Sequence, residues 1–181
     1  IDISTFFAGI PFRNRAKAEG RLAVLLESER AGLAENLRAD LAEAADPDRV
    51  LVHLERFLEN ATGPHTHLSL MADAPRYMRL LTVLFDQSQF LSDIVCRNPG
   101  FTLWLWEEVE LDRARSVEEM LAELRTQLNA LADFRSRCRS LRRFKRREIL
   151  RIGARDIYAH APLASVTEDL SNLADAALQA A

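Results

Sequence analysis

The chain has 181 residues, 48% of them hydrophobic, and its 24 basic and 27 acidic side chains give a formal net charge of -3. So many apolar residues, with only 6 glycines and 6 prolines, exclude intrinsically disordered, collagen-like and linker proteins. No apolar stretch approaches the roughly 20 residues of a membrane-spanning helix, so we expect a soluble protein with no membrane partner and a cytoplasmic location.

The apolar residues favour helices along the whole chain. Leucine and alanine far outnumber valine and isoleucine, and unbranched side chains lose little rotamer freedom in a helix. No stretch alternates as a strand does, so the sequence predicts an all-α fold, a multi-helix array or bundle of about seven or eight helices. We expect a single all-helical region over residues 1–181, which divides, if at all, into N-terminal helices at 1–60 and a core at 75–181.

The N-terminal part of the chain predicts leucine-rich helices. Residues 15–43 form either one long helix or two helices that are broken near Gly32. Asp46 is expected to be a helix N-cap, with Pro47 in the first helical position of the next helix. That helix should end near Asn60.

The middle of the chain predicts three shorter helices. Pro75 starts the first of them, and Ser88 caps the next, which should end before Pro99. Trp104 and Trp106 then mark a short helical turn with a large apolar area.

Two capping boxes predict helix starts near the C-terminus. In each box a serine and the glutamate three residues later bond to each other's backbone N–H groups. Ser116 and Glu119 form the first box, and the helix behind it has apolar residues at the spacing of a core-facing stripe. Ser165 and Glu168 form the second box, which predicts the start of the last helix.

A strongly basic segment lies between the two boxes. Residues 135–155 contain ten basic side chains and one acid, Glu148. On a helix the arginines fall into two stripes: a first stripe of Arg135, Arg139, Arg142 and Arg146, and a second stripe of Arg143, Arg147, Arg151 and Arg155. Like charges four residues apart cost about 0.2–0.5 kcal/mol each, so we expect anions opposite these stripes.

The sequence leaves open which anions these are. Acidic helices of the same chain, or solvent, could neutralise the arginines. Alternatively, the planar guanidinium groups contact a phosphate-bearing substrate or an acidic partner protein, the candidate residues being Arg142, Arg143, Arg146, Arg147, Arg151 and Arg155. A nucleic acid is disfavoured, because the pI is acidic and Phe144 is the only aromatic residue among the arginines.

The basic helix also has a face that is expected to be buried. Its members share an apolar character at helical spacing and are Phe134, Cys138, Leu141 and Ile152. Lys145 and Glu148 fall within this face, so we expect them to pair with each other or with backbone groups, or else to orient the arginines.

Sequence motifs for catalysis or metal binding are not found. The glycines are scattered, which excludes a P-loop and a dinucleotide-binding fingerprint. His65 and His67 have no carboxylate or thiolate close in sequence, so a loop or surface role is expected for them. The pair Asp46 and Asp48 is interpreted as part of a helix cap, and Cys96 and Cys138 predict neither a disulfide nor a metal site. We therefore predict no catalytic residue and no metal ligand in this chain.

Four segments carry a resemblance to one enzyme family. LRRFKRREILRIGARDI at 141–157 and VTEDLSNLADA at 166–176 closely resemble the bifunctional glutamine synthetase adenylyltransferase/adenylyl-removing enzymes. Upstream, LLTVLFDQSQFL at 80–91 and RNP at 97–99 are similar to that family's pattern of a helix, a serine, an apolar helix and a polar residue before proline. Together these segments cover roughly residues 77–180.

The resemblance implies a larger enzyme with two similar halves, each an array of helices that leads into a nucleotidyltransferase domain. One half transfers AMP from ATP to a tyrosine of glutamine synthetase, and the other removes it by phosphorolysis. ATP, magnesium, glutamine synthetase and a nitrogen-signalling regulatory protein are thereby implied for the whole enzyme. The family's metal-binding Asp-x-Asp pair is expected just after residues 166–176, so we interpret this chain as a non-catalytic helical fragment that braces the missing nucleotidyltransferase domain.

Two other functions compete with this interpretation. A stand-alone helical interaction module would bind an acidic partner through the arginine-rich helix. A nucleic-acid-binding protein would use the same helix, with an affinity that falls steeply as salt rises.

Overall fold

The computed structural model describes residues 6–26, 31–107 and 111–180, without the side chains of residues 26 and 31. Within these ranges the chain forms ten α-helices and no β-strand. The all-α class is therefore confirmed, and the helices number ten instead of the seven or eight expected. No helix in these ranges is both long enough and apolar enough to cross a membrane.

The helices are connected by short segments and follow the chain in order: α1 (Arg15–Leu26), α2 (Ala31–Glu43), α3 (Pro47–Asn60), α4 (Pro64–Asp73), α5 (Pro75–Gln87), α6 (Gln89–Arg97), α7 (Gly100–Glu107), α8 (Val117–Asn129), α9 (Phe134–Ile157) and α10 (Leu163–Ala180). Two compact units are present, unit 1 (Ile1–Glu107) with α1 to α7 and unit 2 (Glu108–Ala181) with α8 to α10.

Helix α4 is an element that the sequence pattern missed. Its buried side chains are His67 and Met71, four residues apart. A histidine and a methionine do not form a recognisable apolar stripe, so hydrophobic periodicity gave no sign of this helix. Residues 15–43 form two helices: α1 ends at Leu26 and α2 begins at Ala31. Residues 27–30 lie outside the described ranges, and Gly32 lies within α2.

The predicted caps of unit 1 are confirmed. The Asp46 carboxylate accepts a hydrogen bond from the backbone N–H of Arg49 at 3.1 Å, and α3 ends at Asn60 as expected. The Ser88 hydroxyl accepts from the N–H of Leu91 at 3.2 Å at the start of α6. These bonds satisfy backbone donors that have no partner within the helix.

Unit 1 is organised around α3, which packs against α1, α5 and α6. The rings of Phe57 on α3 and Phe85 on α5 lie at the centre, with their centroids 6.0 Å apart and neither ring exposed. Helix α2 packs against α4 and α5. At the α2–α4 contact a Cβ atom on Gly32 would lie only 2.4 Å from the carbonyl oxygen of Ala72, so this close approach requires glycine.

Unit 2 is formed by α8, α9 and α10, each of which packs against the other two. Its core contains Met120 and Leu124 from α8, Phe144 and Ile152 from α9, and Leu173 from α10. The Ser116 capping box is confirmed, because the Ser116 hydroxyl and the Glu119 carboxylate each accept the other residue's backbone N–H, at 3.2 and 2.8 Å.

The second capping box is wrong. Helix α10 begins at Leu163, two residues before Ser165. The carbonyl of Pro162 accepts from the N–H groups of Ser165 and Val166 at 2.9 and 3.1 Å, so the helical hydrogen bonds start from this proline. Proline suits this position because it has no N–H group of its own that would need an acceptor. The Ser165 hydroxyl instead accepts a hydrogen bond from the Arg155 guanidinium at 2.9 Å.

The predicted buried face of α9 is only partly correct. Ile152 is buried, but Phe134 is 82% exposed and Cys138 and Leu141 are only partly buried. Helix α9 has 24 residues, whereas α8 and α10 have 13 and 18, so the shorter helices do not cover it evenly along its length. Phe144 is the buried aromatic residue of this helix.

Candidate functional site: the arginine-rich helix

Asp133 is the N-cap of helix α9, and its side chain accepts a hydrogen bond from the backbone N–H of Ser136 at 2.8 Å. The Ser136 side chain, together with this backbone hydrogen bond, holds the pKa of the Asp133 carboxyl below its usual value of 3.8. A carboxylate at this end also compensates the positive end of the helix dipole. This N-cap therefore stabilises the start of α9, although the helix carries many like charges.

The C-terminal half of α9 takes part in a group of ionic side chains that we call the charge cluster. Its members come from all three helices of unit 2 and from the segment before α8, and they are Arg115, Glu123, Arg147, Glu148, Arg151, Arg155 and Asp169.

Asp169 on α10 is one acceptor centre of the charge cluster. Arg151 donates to its two carboxylate oxygens at 2.7 and 3.1 Å, in a fork-to-carboxylate arrangement. Arg155 also donates to Asp169, and the backbone N–H of Arg115 donates to it at 3.0 Å. Arg151, Arg155 and Asp169 are at most 1% exposed, so these ionic hydrogen bonds are shielded from water.

Glu148 is the second acceptor centre. Arg115 Nη1 donates to one of its oxygens at 2.6 Å and Arg151 Nε donates to the other at 2.7 Å. Arg115 also donates to Glu123 at 2.9 Å, and Arg147 donates to the other oxygen of Glu123. One arginine before α8 thereby connects carboxylates on α8 and α9.

The charges of the cluster support one another. Burial alone would raise the pKa of Asp169, but hydrogen bonds from Arg151 and the Arg115 backbone, with the charges of Arg151 and Arg155, lower it below 3.8. The pKa of Glu123 is likewise lowered, because Arg147 and Arg115 outweigh its burial. For Arg151, hydrogen bonds and charges from Asp169 and Glu148 outweigh burial and raise the pKa. All three groups are therefore ionised at neutral pH.

The structure separates the six predicted contact residues into two sets. Arg151 and Arg155 are buried in the charge cluster, and Arg147 is partly buried there with its guanidinium 5.4 Å from the centre of the Phe144 ring. Arg142, Arg143 and Arg146 are exposed. With Arg135 and Arg139 they form a surface that we call the exposed stripe.

Lys145 and Glu148 do not pair with each other, which was one of the arrangements expected from the sequence. Lys145 is exposed, whereas Glu148 is fully buried and bonded to Arg115 and Arg151. Sequence spacing did not reveal Arg115, because it lies 33 residues before Glu148. Its position next to the Ser116 cap is the one signal that links it to a helix start.

A buried polar network in unit 1 was also missed. His67 Nδ1 lies 2.6 Å from the Tyr77 hydroxyl, which lies 2.8 Å from the Thr102 hydroxyl, and Thr102 donates to the carbonyl of Pro99 at 2.7 Å. Every donor has one acceptor when the neutral His67 ring donates to Tyr77 and Tyr77 donates to Thr102. The loop or surface role expected for His67 is wrong, because this side chain is 3% exposed in helix α4.

The described residues do not fit a magnesium–nucleotide site. Asp46 caps α3 and pairs with Arg13 at 3.2 Å, and Asp48 accepts from the Arg13 backbone N–H at 2.7 Å. Both carboxylates are thus used in holding the chain before α3. Within the described ranges no group of three or more histidine, cysteine, aspartate or glutamate side chains is placed to hold a metal ion. What the exposed stripe offers chemically is a row of permanent cations for an anionic surface or group.

The fold and the site define a class of protein: an all-α array that contains one long arginine-rich helix. Carboxylates of the same chain neutralise one face of this helix. The family model of glutamate-ammonia ligase adenylyltransferase matches residues 78–181, more than half of the chain. The chain therefore belongs to the glutamate-ammonia ligase adenylyltransferase family. No solved structure matches it.

Curated relatives are bifunctional glutamine synthetase adenylyltransferase/adenylyl-removing enzymes. That of Pseudomonas putida is 30% identical over 145 residues, which are 80% of this chain and 15% of the relative. That of Leifsonia xyli subsp. xyli is 28% identical over 170 residues, 91% of this chain and 17% of the relative. The protein of Pseudomonas syringae pv. tomato is 34% identical over 144 residues, which are 78% of this chain and 15% of the relative. The chain thus spans about one sixth of the length of the relatives it matches.

Proposed function

We propose that this chain is a helical, non-catalytic part of a glutamine synthetase adenylyltransferase. The complete protein would transfer AMP from ATP to a tyrosine of glutamine synthetase, or remove it by phosphorolysis, with magnesium as the metal and a nitrogen-signalling protein as regulator. Family membership and the small share of the relatives' length that the chain covers support this proposal.

The division of α9 carries the finer part of the proposal. The charge cluster connects α8, α9 and α10 by buried and partly buried ionic hydrogen bonds, which would make unit 2 a rigid support. Arg142 and Arg146 of the exposed stripe face solvent on the same helix. In this proposal unit 2 braces the nucleotidyltransferase domain, and Arg142, Arg143 and Arg146 contact acidic side chains or phosphate groups.

The mass of the native protein tests the coarser part. The 181-residue chain has a mass of 20.5 kDa. Intact-mass spectrometry of the protein purified from its source cell, with peptide sequencing past residue 181, should show a much larger chain that continues into a glycine turn and an Asp-x-Asp pair. A native protein of about 20.5 kDa would overturn the proposal and favour a stand-alone interaction module.

Charge reversal in the exposed stripe tests the finer part. In the complete enzyme, Arg142→Glu and Arg146→Glu should each lower the rate of glutamine synthetase adenylylation by about tenfold, the equivalent of one lost charge-assisted contact. Lys17→Glu, an equal change of charge at an exposed position of α1, is the control and should leave the rate unchanged. Wild-type rates in both stripe variants would contradict the assigned role, while the mass measurement would be unaffected.

A further inference from the structure

An open groove lies at one end of unit 2, apart from the exposed stripe. It has a volume of about 380 Å³ and is bounded by the C-terminal ends of α8 and α10 and the N-terminal end of α9. Leu128, Phe134 and Leu141 supply much of its apolar wall. Phe134 is 82% exposed, and an aromatic ring so open to water is typical of a contact surface.

The charges that line the groove all have one sign. Arg125 on α8 and Arg137 on α9 are exposed and stand among its lining residues. None of the described lining residues is acidic. Arg137 Nε donates to the carbonyl of Leu131 at 3.1 Å, which holds this guanidinium near the start of α9. The groove therefore combines an apolar wall with two positive charges, those of Arg125 and Arg137.

We propose that this groove binds an acidic amphipathic helix of a partner protein. Apolar side chains on one face of that helix would contact Phe134 and Leu141, and its flanking carboxylates would meet Arg125 and Arg137. A second copy of this chain is disfavoured, because a symmetric contact would bring the same two arginines of both copies together. A purely apolar partner would strip water from the arginines without replacing it.

The test uses the 181-residue chain and two synthetic peptides. The first has about 18 residues, or about five helical turns, with leucines at i, i+3, i+4 and i+7 and glutamates beside them. The second carries lysine in place of each glutamate. Fluorescence anisotropy gives the affinity, and the rate at which Cys138 is alkylated reports on the groove, because Cys138 lines it and is half-buried. Cys96 is an internal control, since it is 0% exposed and burial raises its pKa to about 11.

We expect the acidic peptide to bind at least about tenfold more tightly than the lysine peptide and to slow the alkylation of Cys138. Phe134→Asp should weaken binding by about tenfold or more. This variant should fold, because the side chain is exposed and an acid in the first turn suits the helix dipole. Leu163→Asp changes a side chain that is 75% exposed and lies outside the groove, so this variant should bind as the wild type does.

Exchange of the charges gives an independent check. The double variant Arg125→Glu and Arg137→Glu should prefer the lysine peptide, because the sign of the groove is then reversed. Equal affinity for both peptides in the wild type, or an alkylation rate of Cys138 that saturating acidic peptide leaves unchanged, would overturn the proposal. If raising the protein concentration slows the alkylation of Cys138 without any peptide, the groove binds a second copy of this chain instead. None of these results depends on the exposed stripe or on adenylylation.

Discussion

Asp169 lies on α10 and accepts hydrogen bonds from Arg151 and Arg155, which lie on α9. Its oxygens also accept the backbone N–H of Arg115. Arg151 and Arg155 are at most 1% exposed, so neither guanidinium can turn to water if this carboxylate is lost. A buried charge without its partner is far more costly than an ion pair at the surface.

Replacement of this carboxylate should therefore be severe. We expect Asp169→Asn to lower the free energy of unfolding by about 3–5 kcal/mol, because the buried guanidinium of Arg155 loses its counter-charge and that of Arg151 keeps only Glu148. Urea unfolding followed by circular dichroism measures this change. Asp175→Asn removes an exposed acid from the same helix and should change stability by less than about 0.5 kcal/mol. Similar losses in both variants would show that the charge cluster is not a stabilising feature.

Helix α9 differs between its two halves. Its C-terminal half carries the buried arginines of the charge cluster, whereas its N-terminal half carries the exposed ring of Phe134 and most of the exposed stripe. The same residue type at the same spacing thus serves internal structure in one half and the surface in the other. Glu123 on α8 and Asp169 on α10 place carboxylates against the C-terminal half of α9, and these contacts account for the division.

Helix α2 provides a prediction of its own, at the position where it approaches α4. A methyl group on Gly32 would lie 2.4 Å from the Ala72 carbonyl oxygen, so Gly32→Ala should destabilise the protein by about 1–3 kcal/mol. Gly20 lies in α1 with nothing within 4 Å of its added Cβ. Gly20→Ala should therefore stabilise the protein by about 0.5–1 kcal/mol through helix propensity. Thermal unfolding of the two variants should show shifts of opposite sign, and shifts of the same sign would contradict the close contact.

The whole molecule contains two buried histidines whose protonation opposes folding. Burial lowers the pKa of His53 and of His67 below the ordinary value of 6.5. His53 Nε2 lies 3.2 Å from the Gln89 amide oxygen, and the His67 ring contacts Phe57 and Tyr77. Both rings are therefore neutral in the folded state at pH values where the unfolded chain begins to bind protons.

This difference sets how stability depends on pH. Because the unfolded chain binds more protons below pH 6.5, the contribution of the neutral histidines is complete above that pH and is lost as the pH falls towards their lowered values. We expect the free energy of unfolding to fall between pH 7.5 and about 5.5, measured by urea titration at several pH values. His67→Gln should reduce the slope, whereas His65→Gln, at an exposed position, should keep it. An unchanged slope in His67→Gln would contradict the neutral state of that ring.

The sequence by itself determined the elements that depend on neighbouring residues. The all-α class, the caps at Asp46, Ser88 and Ser116, and the likeness of residues 141–157 to one enzyme family follow from local pattern, because a cap or a helical stripe is decided within a few residues. The sequence pattern did not predict helix α4, because a buried histidine supplies part of its apolar face.

Only the tertiary structure decided the chemistry of the charged side chains. Arg151 and Arg142 look alike in sequence, yet Arg151 is buried against Asp169, 18 residues away, whereas Arg142 faces water. Arg115 reaches Glu148 across 33 residues, and His67 reaches Tyr77 across a helix boundary. Such partners are chosen by how helices distant in sequence pack, and burial, which follows from that packing, decides whether a charge holds the fold together or remains available to a partner.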